Sequence, residues 1–284
     1  MEESGPAQDP RVAGAVSAPL VAALRDHGSR GVLVVTGAGV SVASGIPTFR
    51  GSDPDAIWKR DVTELGTRHY FEEDPVGSWR WYLERFDRVV DARPNAAHTA
   101  LAALERWQVA RGAPFLLVTQ NVDTLHEAAG SERLVKVHGS ADRVRCSREG
   151  CAMGAPHGSL PRASVDLAAF RREPALAHLP RCPSCGALLR QHVLWFDESY
   201  HEHDDYQLAR VSRAAEDAAV MLFVGTSFSV GITDFFLGCA WRSGALAFAV
   251  DPSPPPRPTP GVRFLAAAAE QLLPAIVQAC EALA

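Results

Sequence analysis

The sequence lacks any apolar run long enough to cross a membrane. Its most apolar stretches, such as Val220–Val224 and residues 245–250, have only the length of a strand, whereas a membrane-spanning helix needs about 20 apolar residues. The N-terminal residues 1–10 are acidic and polar, without the basic and apolar regions of a secretory signal peptide. We therefore expect a cytoplasmic protein with no membrane partner.

An excess of positive charge is also missing. The 284 residues include 28 Lys and Arg against 33 Asp and Glu, for a formal net charge of −5. Such a chain has no overall attraction for nucleic acid, so we expect no nucleic-acid partner. The composition, 47% hydrophobic and 21% charged, is that of a globular protein with a sizeable core, and nothing in it requires more than a monomer.

Cysteine is scarce, with six in the chain. Four form close pairs and two stand alone in apolar surroundings: Cys146 with Cys151, Cys182 with Cys185, and then Cys239 and Cys280. A cytosolic chain of this length needs no disulfides, although disulfide pairing of the close pairs is the alternative. Two thiolate pairs suit tetrahedral zinc, and a zinc ion with four protein ligands is structural rather than catalytic.

Short apolar runs alternate with helical patterns along most of the chain. The expected strands are Val32–Thr36, Phe115–Thr119, residues 134–137, Val220–Val224 and residues 245–250. The expected helices are residues 20–26, 94–111, 204–217 and 265–283. This alternation predicts an α/β fold, a Rossmann-like parallel sheet with helices on both faces, whose ligands bind at the carboxyl ends of the strands.

Two segments interrupt the alternation. Residues 53–90 form an aromatic-rich helical insert, and residues 140–190 hold the paired cysteines with little periodicity. Because the second segment is too small to form its own hydrophobic core, we expect a bound metal ion to stabilise it. The expected organisation is a loose leader (1–19), a Rossmann-like domain (20–52, 91–139 and 191–284), and a small lobe made of a helical module (53–90) and a zinc-binding insert (140–190).

The first strand runs into the sequence GAGVSVASGIPTFR at residues 37–50. Glycines there let the backbone approach a pyrophosphate, and the start of a following helix supplies N–H donors. A Gly-x-Gly after a strand is, by itself, equally typical of a tight strand–helix turn. The continuation to Arg50 is what makes this sequence specific.

Polar residues follow the other strands as well. The sequence TQNVDTLH at 119–126 offers groups that bind ribose hydroxyls and a carboxamide, or else a helix cap. His138 follows the third strand, where a neutral imidazole suits a general base, although a lone histidine is more often structural. Gly-Thr-Ser at 225–227 and Asp251 follow the last two strands, where they could bind phosphate and ribose.

Together and in this order, these sequences resemble the sirtuin family over residues 31 to about 251. The shared sequences are GAGVSVASGIPTFR, TQNVDTLH, His-Gly-Ser at 138–140, the two cysteine pairs, VLWF at 193–196 and Gly-Thr-Ser. The resemblance implies an NAD-dependent protein-lysine deacylase that acts on acyl-lysine proteins or peptides. It also implies NAD in the cleft between a Rossmann-like domain and a small lobe that holds a structural zinc ion.

The resemblance assigns roles to individual residues. The catalytic residues are His138, Asn121 and Asp123, and the zinc ligands are Cys146, Cys151, Cys182 and Cys185. The residues that bind NAD are Gly37, Ala38, Gly39, Ser44, Gly45, Ile46, Pro47, Thr48, Phe49, Arg50, Gln120, Asn121, Asp123, His138, Gly225, Thr226, Ser227, Asp251 and, more loosely, Ala269. The substrate-lysine tunnel and the strand that pairs with the peptide are formed by Val193, Leu194, Trp195 and Phe196.

The family mechanism has two stages. The acyl oxygen of an acyl-lysine attacks C1′ of the nicotinamide ribose and expels nicotinamide. His138 is then expected to deprotonate a ribose hydroxyl, which attacks the imidate carbon, and the products are lysine, nicotinamide and O-acyl-ADP-ribose. A buried tunnel excludes the water that would hydrolyse the intermediate.

Other functions would use the same NAD site. They are mono-ADP-ribosyl transfer to a side chain, NAD hydrolysis and non-catalytic NAD sensing. Intact His138, Asn121 and Asp123 argue against a sensor, and the tunnel sequence and the zinc insert favour the deacylase over the hydrolase.

Tyr82 and Arg85 are three residues apart, so they share one face of the helical insert. The pair resembles the Tyr-x-x-Arg of sirtuins that accept succinyl- and malonyl-lysine, in which a phenol and a guanidinium would bind the distal carboxylate. The alternative is that Tyr82 packs in the core and Arg85 is a solvated charge. The chain departs from the family pattern at Asp197, where glycine is usual, and we expect an altered peptide preference there.

Overall fold

The computed structural model describes residues 10–47, 62–255 and 259–282. Residues 1–9 of the expected leader, and Thr48, Phe49 and Arg50 of the first glycine sequence, lie outside these ranges. Within them, no helix combines the length and the apolar character needed to cross a membrane.

Ten α-helices and nine strands are present in the described ranges. In chain order they are α1 (Pro10–His27), β1 (Val32–Thr36), α2 (Val62–Leu65), α3 (Arg68–Glu73), α4 (Pro75–Val90), α5 (Ala96–Ala110), β2 (Phe115–Thr119), α6 (Leu125–Ala128), β3 (Leu134–Lys136), β4 (Gly139–Cys146), β5 (Leu160–Pro161), α7 (Ala168–Arg172), β6 (Leu189–Val193), α8 (Leu208–Asp217), β7 (Val220–Val224), α9 (Gly231–Ser243), β8 (Leu246–Asp251), β9 (Val262–Ala266) and α10 (Ala269–Glu281).

A six-stranded parallel sheet, in the order β3-β2-β1-β7-β8-β9, forms the centre of the larger unit. Alternate side chains of each strand point to opposite faces. Val34 faces a core cluster with α1, α5 and α10, whereas Leu33 faces a second cluster with α8 and α9. Because both faces are covered, the central strands β1 and β7 are buried along their whole length and are apolar except for Thr36 at the end of β1. The predicted Rossmann-like α/β fold is confirmed.

A smaller unit carries a three-stranded antiparallel sheet in the order β5-β4-β6. Its core is a third cluster in which Trp79 of α4, Phe170 of α7 and Trp195 are buried together. The Trp79 indole N–H donates to the Leu189 carbonyl of β6 at 2.9 Å, which ties the helices to the sheet. Strands β4 and β6 each extend across an expected domain boundary, at 139/140 and 190/191.

The structure differs from the sequence prediction in three elements. Helix α1 begins at Pro10, so residues 10–19 of the expected loose leader are helical. Strand β9 (Val262–Ala266) pairs with β8, and therefore the last helix begins at Ala269 rather than at residue 265. Helix α9 was not predicted. In β9 the pairing partner decides the structure, because its sequence VRFLA lacks a continuous apolar run.

Candidate active site

The carboxyl ends of β1, β2 and β7 bring the predicted cofactor sequences side by side. The Gly37 amide donates to the Val224 carbonyl at 3.0 Å, and the Gly39 amide donates to the Gly225 carbonyl at 2.9 Å. Gly225 has φ +58°, and a Cβ there would lie 2.3 Å from the Val40 amide nitrogen. Glycine at this position therefore allows the loops after β1 and β7 to touch.

Ser41 links the glycine loop, which is the glycine-rich segment 37–45 after β1, to the end of β2. Its hydroxyl donates to Asp123 Oδ2 at 3.0 Å and accepts from Asn121 Nδ2 at 3.2 Å, and Asn121 Nδ2 also lies 3.1 Å from the Gly37 carbonyl. His98 Nε2 lies 3.5 Å from the same hydroxyl. Sequence reasoning missed Ser41 and His98 as site residues. The only signals were the place of Ser41 inside the glycine sequence and that of His98 in the first turn of α5.

The other predicted cofactor residues within the described ranges lie around the same edge. Ala38 and Ser44 begin and end a seven-residue 3₁₀-helix, which Gly45 ends with φ +82°, and Ile46 and Pro47 follow. Gln120 Nε2 donates to Thr226 Oγ1 at 3.4 Å, and Ser227 is exposed beside it. Asp251 ends β8, where burial raises the pKa of its carboxyl group, and Ala269 is the buried first residue of α10.

His138 is half-buried between β3 and β4. Its Nδ1 lies 2.8 Å from the Gln120 carbonyl oxygen, and its Nε2 lies 3.0 Å from the Tyr200 hydroxyl. Because a carbonyl only accepts, the neutral ring carries its proton on Nδ1 and presents the lone pair of Nε2. Burial lowers the pKa of His138, and the hydrogen bond to Gln120 opposes this shift only in part. The ring is thus a neutral base of fixed orientation near pH 7.

The predicted substrate segment 193–196 lies directly beside this base. The Leu194 amide donates to the His138 carbonyl at 2.9 Å, and Val193, the last residue of β6, pairs with Gly139. Trp195 is buried with 2% exposure, whereas Phe196 is 48% exposed. The backbone next to His138 therefore leads from a buried aromatic ring to an exposed one.

Tyr82 and Arg85 lie on α4, close to the same segment. The Tyr82 ring is buried, with its centroid 6.5 Å from that of Trp195 and 5.2 Å from that of Phe86. Arg85 Nη1 donates to the Trp81 carbonyl at 2.8 Å, and its guanidinium lies 4.1 Å from the Trp81 ring centroid. Tyr82 thus belongs to the core of the small unit and also adjoins the segment predicted to hold the substrate lysine.

The four paired cysteines come together in the small unit. All four Sγ atoms lie within 4.8 Å of one another, with Cys146 3.5 Å from Cys185 and Cys151 3.7 Å from Cys182. Tetrahedral zinc with Zn–S bonds of about 2.3 Å places its sulfur ligands about 3.8 Å apart. The thiols are free, without disulfide bonds, so the cluster fits a zinc ion that is enclosed by protein ligands.

A second group of metal-ligating side chains consists of His192, His203 and Asp205. His203 Nδ1 accepts from the Asp205 amide, and its Nε2 donates to the Gly158 carbonyl, both at 3.1 Å. His192 Nε2 lies 3.0 Å from Asp205 Oδ2. Since both nitrogens of His203 already have partners, this group fits an internal hydrogen-bond network better than a metal site.

Comparisons with known proteins agree with this geometry. The sequence model of the Sir2 family matches residues 37–231. The chain belongs to the Sir2 family. The matched Sir2 region runs from the glycine loop after β1 to the first residue of α9, and it contains His138, all four clustered cysteines and the segment 193–196. The predicted resemblance to sirtuins is confirmed.

Individual Sir2 relatives are similar over most of the chain. An NAD-dependent protein deacylase of Thermus thermophilus is 42% identical over 229 residues, 80% of this chain and 82% of that protein. A Sir2 homologue mutant solved in complex with ADP ribose is 34% identical, with a TM-score of 0.76 over 93% of this chain and 97% of that one. A Sir2 homologue solved with NAD is 32% identical, with a TM-score of 0.73 over 98% and 96%.

Proposed function

We propose that this Sir2-family chain is an NAD-dependent protein-lysine deacylase. The main support for this proposal is the position of His138. Its Nε2 lone pair lies at the carboxyl edge of the parallel sheet, beside the segment 193–196. A general base that is neutral near pH 7 is what the second stage of the reaction requires. The family membership and the deacylase relatives support the same conclusion.

NAD is the proposed co-substrate at the strand ends. The glycine loop would approach its pyrophosphate, the residues 120–123 its nicotinamide ribose and carboxamide, and Thr226 and Asp251 its adenosine half. We extend this assignment to Thr48, Phe49 and Arg50 on the basis of the sequence resemblance. The acyl group passes to ADP-ribose, so in chemical class the enzyme is a transferase that releases nicotinamide, lysine and O-acyl-ADP-ribose.

The proposed partner is an acyl-lysine protein or peptide. An acyl-lysine peptide would lie along the backbone of 193–196 as an added strand, since extended peptides bind by pairing with exposed strand edges. The clustered cysteines would hold structural zinc, which supplies folding energy to the small unit. The same proposal describes a cytoplasmic monomer with a Rossmann-like NAD-binding domain and a small lobe.

Tyr82 and Arg85 are the proposed contacts for an acidic acyl group. The Tyr82 ring lies near Trp195 of the substrate segment, and Arg85 is one turn away on the same helix face. A guanidinium binds a carboxylate as a charged fork, and such a contact is stronger than one between neutral groups. An acetyl group is smaller, so the same pocket would also accept acetyl-lysine.

The test is NAD-dependent removal of acetyl and succinyl groups from matched lysine peptides, with the wild type, Arg85→Met and Arg80→Met. Arg80 is an exposed arginine on the same helix and serves as the matched control. We expect Arg85→Met to abolish desuccinylation and retain deacetylation, and Arg80→Met to change neither. Equal loss of both activities in Arg85→Met would make Arg85 structural. Nicotinamide release with no deacylation by the wild type would favour ADP-ribosyl transfer or NAD hydrolysis instead.

A further inference from the structure

Tyr200 lies in the loop after β6, and its hydroxyl contacts the Nε2 lone pair of His138, the proposed general base. Its hydroxyl is 3.0 Å from His138 Nε2, and the two ring centroids are 5.8 Å apart at an angle of 31°. His138 Nδ1 is already committed to the Gln120 carbonyl. Nε2 therefore accepts a hydrogen bond from the Tyr200 O–H. A substrate hydroxyl that approaches Nε2 encounters the Tyr200 hydroxyl first.

The Tyr200 hydroxyl donates its hydrogen bond to His138, and the lone pairs of its oxygen remain able to accept one. Burial raises the pKa of Tyr200 to about 12, so the phenol keeps its proton at physiological pH. A phenolic oxygen donates one hydrogen bond and can also accept. Within residues 10–47, 62–255 and 259–282, no donor bonds the Tyr200 oxygen. The unused lone pairs are available to a hydroxyl group of a bound substrate.

Other contacts fix the positions of both Tyr200 and His138. The Tyr200 ring packs against the second core cluster, on the sheet face covered by α8 and α9. His138 is fixed by the Gln120 carbonyl on one side and, through its own carbonyl, by the Leu194 amide on the other. Direct access of a substrate hydroxyl to Nε2 would require the packed Tyr200 ring to move. Access through the phenol oxygen requires no such movement.

We propose that Tyr200 relays the proton from a ribose hydroxyl of NAD to His138 in the deacylation stage. This inference rests on the deacylase proposed above and adds a second residue to its base. It makes Tyr200 a catalytic residue, because its oxygen would contact the reacting hydroxyl.

The relay conserves protons and electron pairs. The ribose O–H bond breaks and its proton forms a bond to the Tyr200 oxygen, while the original phenolic proton moves to His138 Nε2. Tyr200 ends the step neutral and His138 ends it as imidazolium. The electron pair left on the ribose oxygen forms the new C–O bond to the imidate carbon. Nicotinamide has already departed, so the relay plays no part in the first stage.

The first experiment separates the two stages in Tyr200→Phe, which keeps the ring and removes the hydroxyl. Exchange of labelled nicotinamide into NAD in the presence of acetyl-lysine peptide reports the first stage, and formation of deacetylated peptide reports both. We expect exchange within about twofold of wild type and deacylation lowered about 100-fold, the scale of a lost proton-transfer group. Tyr206→Phe removes another buried phenol of the same loop and should leave the ratio of the two rates unchanged.

Single-turnover deacylation by the wild type in mixtures of light and heavy water is a second measurement that needs no variant. Two protons in flight give a curved dependence of rate on deuterium fraction, and one proton gives a straight line. A straight line, or a Tyr200→Phe enzyme with deacylation unchanged or faster, would overturn the relay while leaving the deacylase in place. Absence of NAD-dependent deacylation by the wild type would instead remove the proposed function itself.

Discussion

The carboxylate of Glu198 lies between the guanidinium groups of Arg145 and Arg190. Arg145 Nη2 donates to its two oxygens at 3.1 and 3.2 Å, Arg190 Nη2 donates at 3.2 Å, and the Trp195 amide donates at 3.0 Å. The side chains of all three charged residues are at most 4% exposed. Because Arg145 belongs to β4 and Arg190 to β6, this carboxylate fixes the loop after Trp195 onto the small sheet.

Removal of the Glu198 charge should destabilise the fold. Glu198→Gln leaves two buried guanidinium groups without a counter-charge, and loss of one partner of a buried ion pair costs about 3–5 kcal/mol. We expect the free energy of unfolding, measured with urea, to fall by that amount. Glu202→Gln is the matched control. Among the described residues Glu202 forms an ion pair only with the partly exposed Arg68, so its loss should cost less than about 1 kcal/mol. Equal losses of stability in the two variants would show that the buried ion pairs of Glu198 do not stabilise the fold.

The same carboxylate predicts a pH dependence. Burial alone would raise the pKa of Glu198, but Arg190, Arg145 and the Trp195 amide lower it from 4.5 to about 2. A carboxylate whose pKa is lower in the folded than in the unfolded protein stabilises the fold, and the effect is complete above the unfolded pKa. For Glu198 this stabilisation is about 3 kcal/mol, and it is lost as the pH falls from about 5 to 2. The difference in unfolding free energy between wild type and Glu198→Gln should therefore narrow over that range. A constant difference would contradict the assignment.

Loss of one zinc ligand should unfold the small unit. Cys182→Ala leaves three thiolates, and structural zinc contributes folding energy directly. We expect zinc content measured by mass spectrometry to fall below one ion per chain and the melting temperature to drop. Cys280→Ala, a buried thiol outside the cluster, should keep its zinc. A Cys182→Ala protein with normal melting temperature and activity would rule out a structural zinc site.

Gly139 should tolerate no side chain. It has φ +78°, and a Cβ would lie 2.2 Å from the His192 carbonyl oxygen, so Gly139→Ala combines a strained backbone with a clash of β4 against β6. We expect a loss of about 3 kcal/mol or more in stability, and of deacylation as His138 and Val193 move apart. Gly112→Ala shares the left-handed backbone, at φ +69°, but has open space around it and should cost only about 1–2 kcal/mol.

Much of the site could be predicted from the sequence because its residues follow apolar strands directly. Strands of a parallel sheet end at one edge, so Gly37, Asn121 and Gly225 had to meet once the strands were recognised. The cysteine pairs were predictable for a different reason, since their spacing itself indicates a metal.

Contacts between distant residues were not predictable in this way. Tyr200 and His138 are 62 residues apart, and Ser41 and Asp123 are 82 apart, and neither contact follows from local periodicity. Asp197 is a further example: its carboxylate accepts from the Arg68 and His69 amides at 2.8 and 3.2 Å and so caps α3. Strand β9 was missed for the same reason, because its partner β8 and not its own sequence makes it a strand.

The role of His138 as the general base of a deacylase can be tested by product analysis. Wild type and His138→Ala are incubated with an acetyl-lysine peptide and NAD, and nicotinamide, free-lysine peptide and O-acetyl-ADP-ribose are quantified by mass spectrometry. We expect equal amounts of the three products from the wild type. From His138→Ala we expect nicotinamide exchange without net deacylation, because the base acts only after nicotinamide has left. Unchanged turnover by His138→Ala, or wild-type release of nicotinamide without deacylated peptide, would contradict the assignment of His138 as the general base of a deacylase.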